Sequence, residues 1–123
     1  MSEEIYKQHI IDHFNNPRNK AEMLDPDIEQ VAKNPSCGDN YILYLRIAGG
    51  VINDATFSGV GCAISTAAGS LLTEKLITMN IEDAKQITKQ DIFDMLKIEI
   101  SIGREKCALL LFNALVSAFE NYE

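Results

Sequence analysis

No stretch of this chain approaches the ~20 consecutive apolar residues that a membrane-spanning helix needs. A basic excess is also missing. Eleven Lys and Arg stand against 18 Asp and Glu, a formal net charge of −7. Nucleic-acid binding relies on a basic footprint that displaces counterions, and the overall charge opposes it. One small basic group (Arg18, Lys20, Lys33) reads as a solvated face. The opening Met-Ser-Glu-Glu is acidic and polar, unlike a secretory signal or an Arg-rich transit peptide. The expectation is therefore a cytoplasmic protein with neither a membrane nor a nucleic acid as partner.

Cysteine is scarce: there are three, Cys37, Cys62 and Cys107. Three cannot all pair internally, and no Cys-x-x-Cys is present. A disulfide framework, a thioredoxin-like couple and a zinc ribbon are all disfavoured. Free thiols, metal ligands or reactive groups remain. His9 and His13 are four residues apart on one predicted helix face. No glutamate follows His9 in the His-Glu-x-x-His manner and no third ligand is near, so packing is the better reading.

The chain of 123 residues, 46% hydrophobic, suits one domain over 1–123 with a single modest core. The spacing of Ile5, Tyr6, His9, Ile10 and Phe14 predicts a helix over 3–14, ended by Asn15-Asn16-Pro17-Arg18-Asn19. An irregular segment follows to about residue 27. A short strand is expected over 28–33. Residues 41–47 alternate, with Tyr41, Leu43, Leu45 and Ile47 on one face. Gly49-Gly50 is a hairpin turn, and 51–58 returns with Val51, Ala55 and Phe57 on one face. The pattern then becomes helical from Cys62 to about Met79. Small residues (Ala63, Ala67, Ala68, Gly69, Ser70) imply close packing near the start of that helix. Asn80 caps a short helix. Thr88 and Asp91 form a capping-box pattern for another. Residues 98–103 read as extended, with Ile98, Ile100 and Ile102 alternating, and a final helix spans about 105–122. The class is α+β: a three-stranded antiparallel sheet with helices packed on one face.

Each cysteine sits at a glycine-marked boundary. Asn34-Pro35-Ser36-Cys37-Gly38-Asp39 is a turn, since proline disfavours helix before it and Gly38 permits a tight bend. Its thiol and carboxylate can face one spot. Cys62 follows Gly59-Val60-Gly61, and Cys107 follows Gly103-Arg104-Glu105-Lys106, both at predicted helix N-termini. A thiolate is stabilised there by the helix dipole and free N–H groups. Two readings stay open: three unrelated core cysteines, or one shared site. Three thiolates and a carboxylate satisfy tetrahedral Zn²⁺. They can also carry an iron–sulfur cluster, though the carboxylate is a harder ligand than such sites prefer. One poorer ligand makes the site exchangeable, as a transit station for metal or sulfur requires.

Several ordered motifs make the sequence resemble the NifU N-terminal domain/IscU/SufU family of iron–sulfur cluster assembly proteins. They are His13-Phe14-Asn15-Asn16-Pro17-Arg18-Asn19, the Cys37 loop, Asp54-Ala55-Thr56-Phe57 with Gly61-Cys62-Ala63-Ile64-Ser65, and Arg104-Glu105-Lys106-Cys107-Ala108-Leu109. The resemblance implies a site of Cys37, Asp39, Cys62 and Cys107. That site would hold a labile iron–sulfur cluster, a 2Fe–2S cluster foremost, or Zn²⁺. It further implies a pyridoxal-phosphate cysteine desulfurase as sulfur donor and apo-proteins as cluster acceptors. Scaffold-type members carry histidine where this chain has Lys106. They also often carry Leu-Pro-Pro-Val-Lys, the motif for a dedicated Hsp70-type chaperone. Residues 98–103 here are Ile-Glu-Ile-Ser-Ile-Gly, so that partnership lacks its motif. Arg104 and Lys106 look instead like the SufU branch, whose usual insertion between the second and third cysteines this chain lacks.

Three functions are consistent with these residues. The first is a non-enzymatic scaffold and sulfur acceptor. The second is a zinc-dependent sulfurtransferase, with Cys37 or Cys107 accepting persulfide and Arg104 pairing with Asp39 when a ligand swaps. The third is a zinc-stabilised binding module without sulfur chemistry, which would leave desulfurase turnover unchanged.

Overall fold

The computed structural model describes residues 2–35 and 38–122. Helix α1 (Ser2–Asn15) is followed by strands β1 (Ile28–Asn34), β2 (Asp39–Ala48) and β3 (Val51–Val60). Helices α2 (Ala63–Leu76), α3 (Ile81–Ala84) and α4 (Lys89–Leu96), a 3₁₀ turn (Ile102–Arg104) and α5 (Glu105–Asn121) complete the chain. The sheet is antiparallel in the order β1-β2-β3. No helix among the described residues is long and apolar enough to cross a membrane.

Period-two patterning explains the sheet. Tyr41, Leu43 and Leu45 of β2 are fully buried, as one covered face requires. Helix α5 packs over β1 and β2, and α2 over β3. Gly49 and Gly50 both have positive φ (+60° and +76°), the turn that matches strand twist in a two-residue hairpin. Along the outer edge of β3, Asn19 and Ala21 pair with Phe57. The Phe57 N–H donates to the Asn19 carbonyl and the Ala21 N–H to the Phe57 carbonyl.

Two expectations need correction. The first is the inward face of β3, which is Ile52, Ala55 and Phe57, all fully buried, while Val51 is half-buried. The register passes from Arg46↔Asp54 to Ile47↔Ile52, leaving Asn53 as an extra residue. Such a bulge switches the parity of the face. The second is 98–103, which forms no strand. Ile98 and Ile100 pack against the core, whereas Ile102 is 86% exposed on the 3₁₀ turn. Alternation arises here because a loop tucks two isoleucines under it, with no ladder.

The helices form where expected, except that α2 ends at Leu76 and not near Met79: Ile77 is extended and Thr78 takes φ +77°. Asn80 accepts from the Asp83 N–H. The reciprocal Thr88–Asp91 capping box is formed. Gly69 explains the small-residue stretch: a Cβ there would lie 2.6 Å from Leu111 Cδ1 and 3.0 Å from the Phe57 ring. Only glycine lets α2 sit this close to α5 and β3.

The two histidines pin α1 to its neighbours. His9 Nε2 is 3.1 Å from the Met95 carbonyl, which can only accept, so Nε2 carries the proton. It satisfies a carbonyl in the last turn of α4, where no intrahelical partner exists. His13, 5% exposed, places Nδ1 2.7 Å from Ser70 Oγ. Ser70 Oγ accepts from the Arg18 N–H at 2.8 Å, which leaves its own hydrogen for His13 Nδ1. The Arg18 guanidinium pairs with Asp12 at 2.8 Å. Burial holds the His13 imidazole below its usual range, and the charges of Arg18 and His9 add to this against Glu74 and Asp12.

Because folding depresses the His13 pKa, the unfolded chain binds this proton more readily. The stability that neutral His13 supports should be complete above about pH 6.5 and fall with acidification below it. The limiting slope is one proton, about 1.4 kcal/mol per pH unit. Urea unfolding from pH 5 to 8 should show this slope in the wild type and its loss in His13→Gln.

Candidate metal and sulfur site

The β1–β2 connection is short, because Asn34 pairs with Asp39 across residues 35–38. Gly38 takes φ +72°, which the tight return requires and which glycine adopts without strain. Asp39 thereby becomes the first residue of β2, 3% exposed. At the far end of β3, Gly59 has φ +125°, and a Cβ there would lie 2.1 Å from the Asn40 carbonyl oxygen. This close crossing brings the Cys62 segment over the start of β2.

Cys62 is the N-cap residue of α2 (φ −74°, ψ 172°) and is half-buried. Its N–H donates to Asp39 Oδ1 at 3.1 Å, and its Sγ lies 3.6 Å from Asp39 Oδ2. The carboxylate thus receives a backbone donor next to the positive end of α2, which compensates its burial. Cys107 lies in the first turn of α5 and is 3% exposed. One oxygen of Asp39 and the sulfurs of Cys62 and Cys107 all lie within 4.8 Å of one another.

The first turns of α2 and α5 therefore meet at one spot, together with the start of β2. Each N-terminus presents N–H groups without intrahelical acceptors and a partial positive charge. Thiolate is the form of cysteine that ligates metal and attacks sulfur. Tetrahedral Zn–S bonds of about 2.3 Å put ligand atoms about 3.8 Å apart. A sulfur and a carboxylate oxygen on one zinc lie about 3.5 Å apart, so the observed separations require a closing of no more than about 1.3 Å, and the two sulfurs and the carboxylate could hold a metal.

Three of the four expected ligands thus converge, and Cys37 lies outside the described residues. Its described neighbours Pro35 and Gly38 are exposed. Arg104, at the N-cap of α5, is exposed and makes no ion pair with Asp39 among the described residues. Lys106 is exposed as well.

Sequence reasoning overlooked the hydroxyls behind Cys62. Ser65 Oγ donates to the Cys62 carbonyl at 3.1 Å, and Tyr41 Oη lies 2.9 Å from Ser65 Oγ and 2.7 Å from Thr66 Oγ1. The available signal was a row of polar residues (Ser65, Thr66, Ser70, Thr73) on a helix too apolar to be exposed. All four are buried, and buried hydroxyls need partners.

Known proteins resemble this chain in sequence and fold. The NifU-like N terminal domain matches residues 5–123. The chain is 36% identical to the zinc-dependent sulfurtransferase SufU of Bacillus subtilis, over 90% of this chain and 86% of that protein. It is 32% identical to the iron-sulfur cluster assembly scaffold protein IscU of Thermotoga maritima, over 94% and 93% of the two. The fold superposes on a nitrogen-fixing NifU-like protein (N-terminal) from Brucella abortus with a TM-score of 0.77, 20% identity and coverage of 96% and 94%. With an antiparallel three-stranded sheet covered by helices and a family match that spans nearly the whole chain, the chain belongs to the family of the NifU-like N terminal domain.

Proposed function

We propose that this chain is a scaffold and sulfur acceptor for iron–sulfur cluster assembly. It works with a pyridoxal-phosphate cysteine desulfurase and passes its cargo to apo-proteins. The observation that carries this reading is the meeting of Asp39, Cys62 and Cys107 within 4.8 Å at two helix N-termini. Cys37, two residues before Asp39 in the sequence, supplies the fourth ligand. The cargo is a labile 2Fe–2S cluster. Three thiolates hold it, and the harder carboxylate of Asp39 keeps one corner exchangeable.

Sulfur arrives by exchange without net redox change. A thiolate of this chain attacks the outer sulfur of the desulfurase persulfide. The S–S bond of the donor breaks, its cysteine leaves as thiolate, and a new persulfide stands on the acceptor. Cys37 and Cys107 are the candidate acceptors. The 3% exposure of Cys107 hinders approach of a donor, whereas the exposed neighbours of Cys37 favour it.

A second reading is a zinc-dependent sulfurtransferase. It draws support from Lys106 beside Cys107 and from the 36% identity to SufU. Cys37, Asp39, Cys62 and Cys107 would then hold zinc, which keeps the thiols deprotonated between turnovers. Arg104, exposed one turn from the site, would take the Asp39 carboxylate when a thiol is released to accept sulfur. Anaerobic purification followed by metal and acid-labile sulfide analysis separates the two: sulfide with iron supports the scaffold, zinc alone the sulfurtransferase.

Asp39→Ala should give a longer-lived cluster. Its transfer to an apo-acceptor, followed by absorbance, should slow on the order of tenfold, the effect of about 1.4 kcal/mol on a barrier. Transfer at the wild-type rate would remove the labile-ligand role. After incubation with a desulfurase and cysteine, mass spectrometry should find one added sulfur atom on Cys37. Sulfur on neither Cys37 nor Cys107 would discard both acceptors.

A further inference from the structure

Directly behind Cys62 runs a line of hydroxyls that the proposed chemistry does not use. Thr66 Oγ1 and Tyr41 Oη are 2.7 Å apart, Tyr41 Oη and Ser65 Oγ 2.9 Å, and Ser65 Oγ lies 3.6 Å from Cys62 Sγ. All are sealed from water: Tyr41 is 0%, Ser65 1% and Thr66 4% exposed. Gly61 makes room for them, since a Cβ there would lie 2.3 Å from Tyr41 Oη and 2.7 Å from Ser65 Oγ.

Each hydroxyl has one hydrogen to give and two lone pairs to receive. While Cys62 keeps its own hydrogen, the thiol donates toward Ser65 or Asp39, and Ser65 donates to the Cys62 carbonyl. A metal-bound sulfur has no hydrogen and only accepts. The Asp39 carboxylate has none to offer either. Ser65 Oγ, 3.6 Å away, is then a donor within reach of this sulfur. Tyr41, backed by Thr66, donates into Ser65 Oγ and so fixes where the Ser65 hydrogen points. Donors of this kind set the orientation and charge of a metal ligand, and losing one typically weakens metal binding by about 10–100-fold.

We propose that the Tyr41-held hydroxyl of Ser65 is a positioning group for the Cys62 sulfur, donating a hydrogen bond to it when it ligates metal. This rests on the reading of Cys62 as a ligand. It assigns a function to three buried hydroxyls and to the glycine that makes room for them.

The test uses the reduced full chain, held anaerobically, with cobalt(II) alone as the probe. In Ser65→Ala the thiolate-to-cobalt charge-transfer band should move to lower energy, because the sulfur lone pair is no longer held down. Cobalt affinity, measured by chelator competition, should fall about tenfold. Tyr41→Phe keeps the ring and the core and should move both readouts the same way by less. Thermal unfolding of the metal-free proteins checks that each variant folds; should Ser65→Ala fail to fold, Tyr41→Phe decides. Wild-type band position and affinity in the folded variants would overturn the role of Ser65 while leaving the site intact. A wild-type protein without thiolate bands, or a Cys62→Ala variant with undiminished thiolate intensity, would remove the site and this role together.

Discussion

The contact between Asp39 and the start of α2 organises the molecule. A carboxylate that is 3% exposed would be costly to bury without a partner, and the Cys62 N–H at 3.1 Å is that partner. The bond ties the first residue of β2 to the N-cap of the helix that covers β3. Everything chemical about the site follows from this tie. It places the carboxyl oxygen beside one sulfur and leaves the first turn of α5 to deliver the other. Without it, the Gly38–Asp39 entry to β2 and the Cys62 segment would be two separate features at one end of a sheet.

The core beneath supplies the rigidity. Tyr41, Leu43, Leu45, Ile52, Ala55 and Phe57 form a fully buried sheet face, and α2 and α5 lie across it. Gly69 sets their spacing by admitting Leu111 and Phe57 to the backbone of α2. Two helices brought this close, both with their N-termini toward the same end, concentrate partial positive charge there. Close packing and site electrostatics are thus one arrangement. Tyr41 belongs to both: its ring fills the core beside Phe57, and its hydroxyl reaches toward the cysteine segment.

Much of this was legible in the residues. The strands expected over 28–33, 41–47 and 51–58 are observed over 28–34, 39–48 and 51–60; the second and third announced themselves by alternation and by Gly49-Gly50, and the caps at Asn80 and Thr88 by side chains that accept backbone N–H groups. Asp39, Cys62 and Cys107 were legible because each stands at a boundary between elements, where a core cysteine would stand mid-stripe. The bulge at Asn53 left no such mark. One polar residue more in a strand looks like any other, and only the pairing with Arg46 and Ile47 reveals it. The isoleucines at 98–102 misled because alternation reports which side chains face inward and is silent on whether the backbone has a neighbour to bond. Ser65 and Tyr41 were visible as members of a helix and a strand. Their hydroxyls acquire a role only when 24 residues of chain fold back to join them.

The strip Asn19–Ala21 has a consequence for association. By bonding both the N–H and the carbonyl of Phe57, it occupies the middle of the β3 margin, where an open ladder would offer itself to another chain. Polymerisation by backbone templating is thereby blocked at that margin. Any assembly that uses this side of the molecule has to be built from side-chain surface, whose composition selection can tune, and not from the sequence-blind main chain.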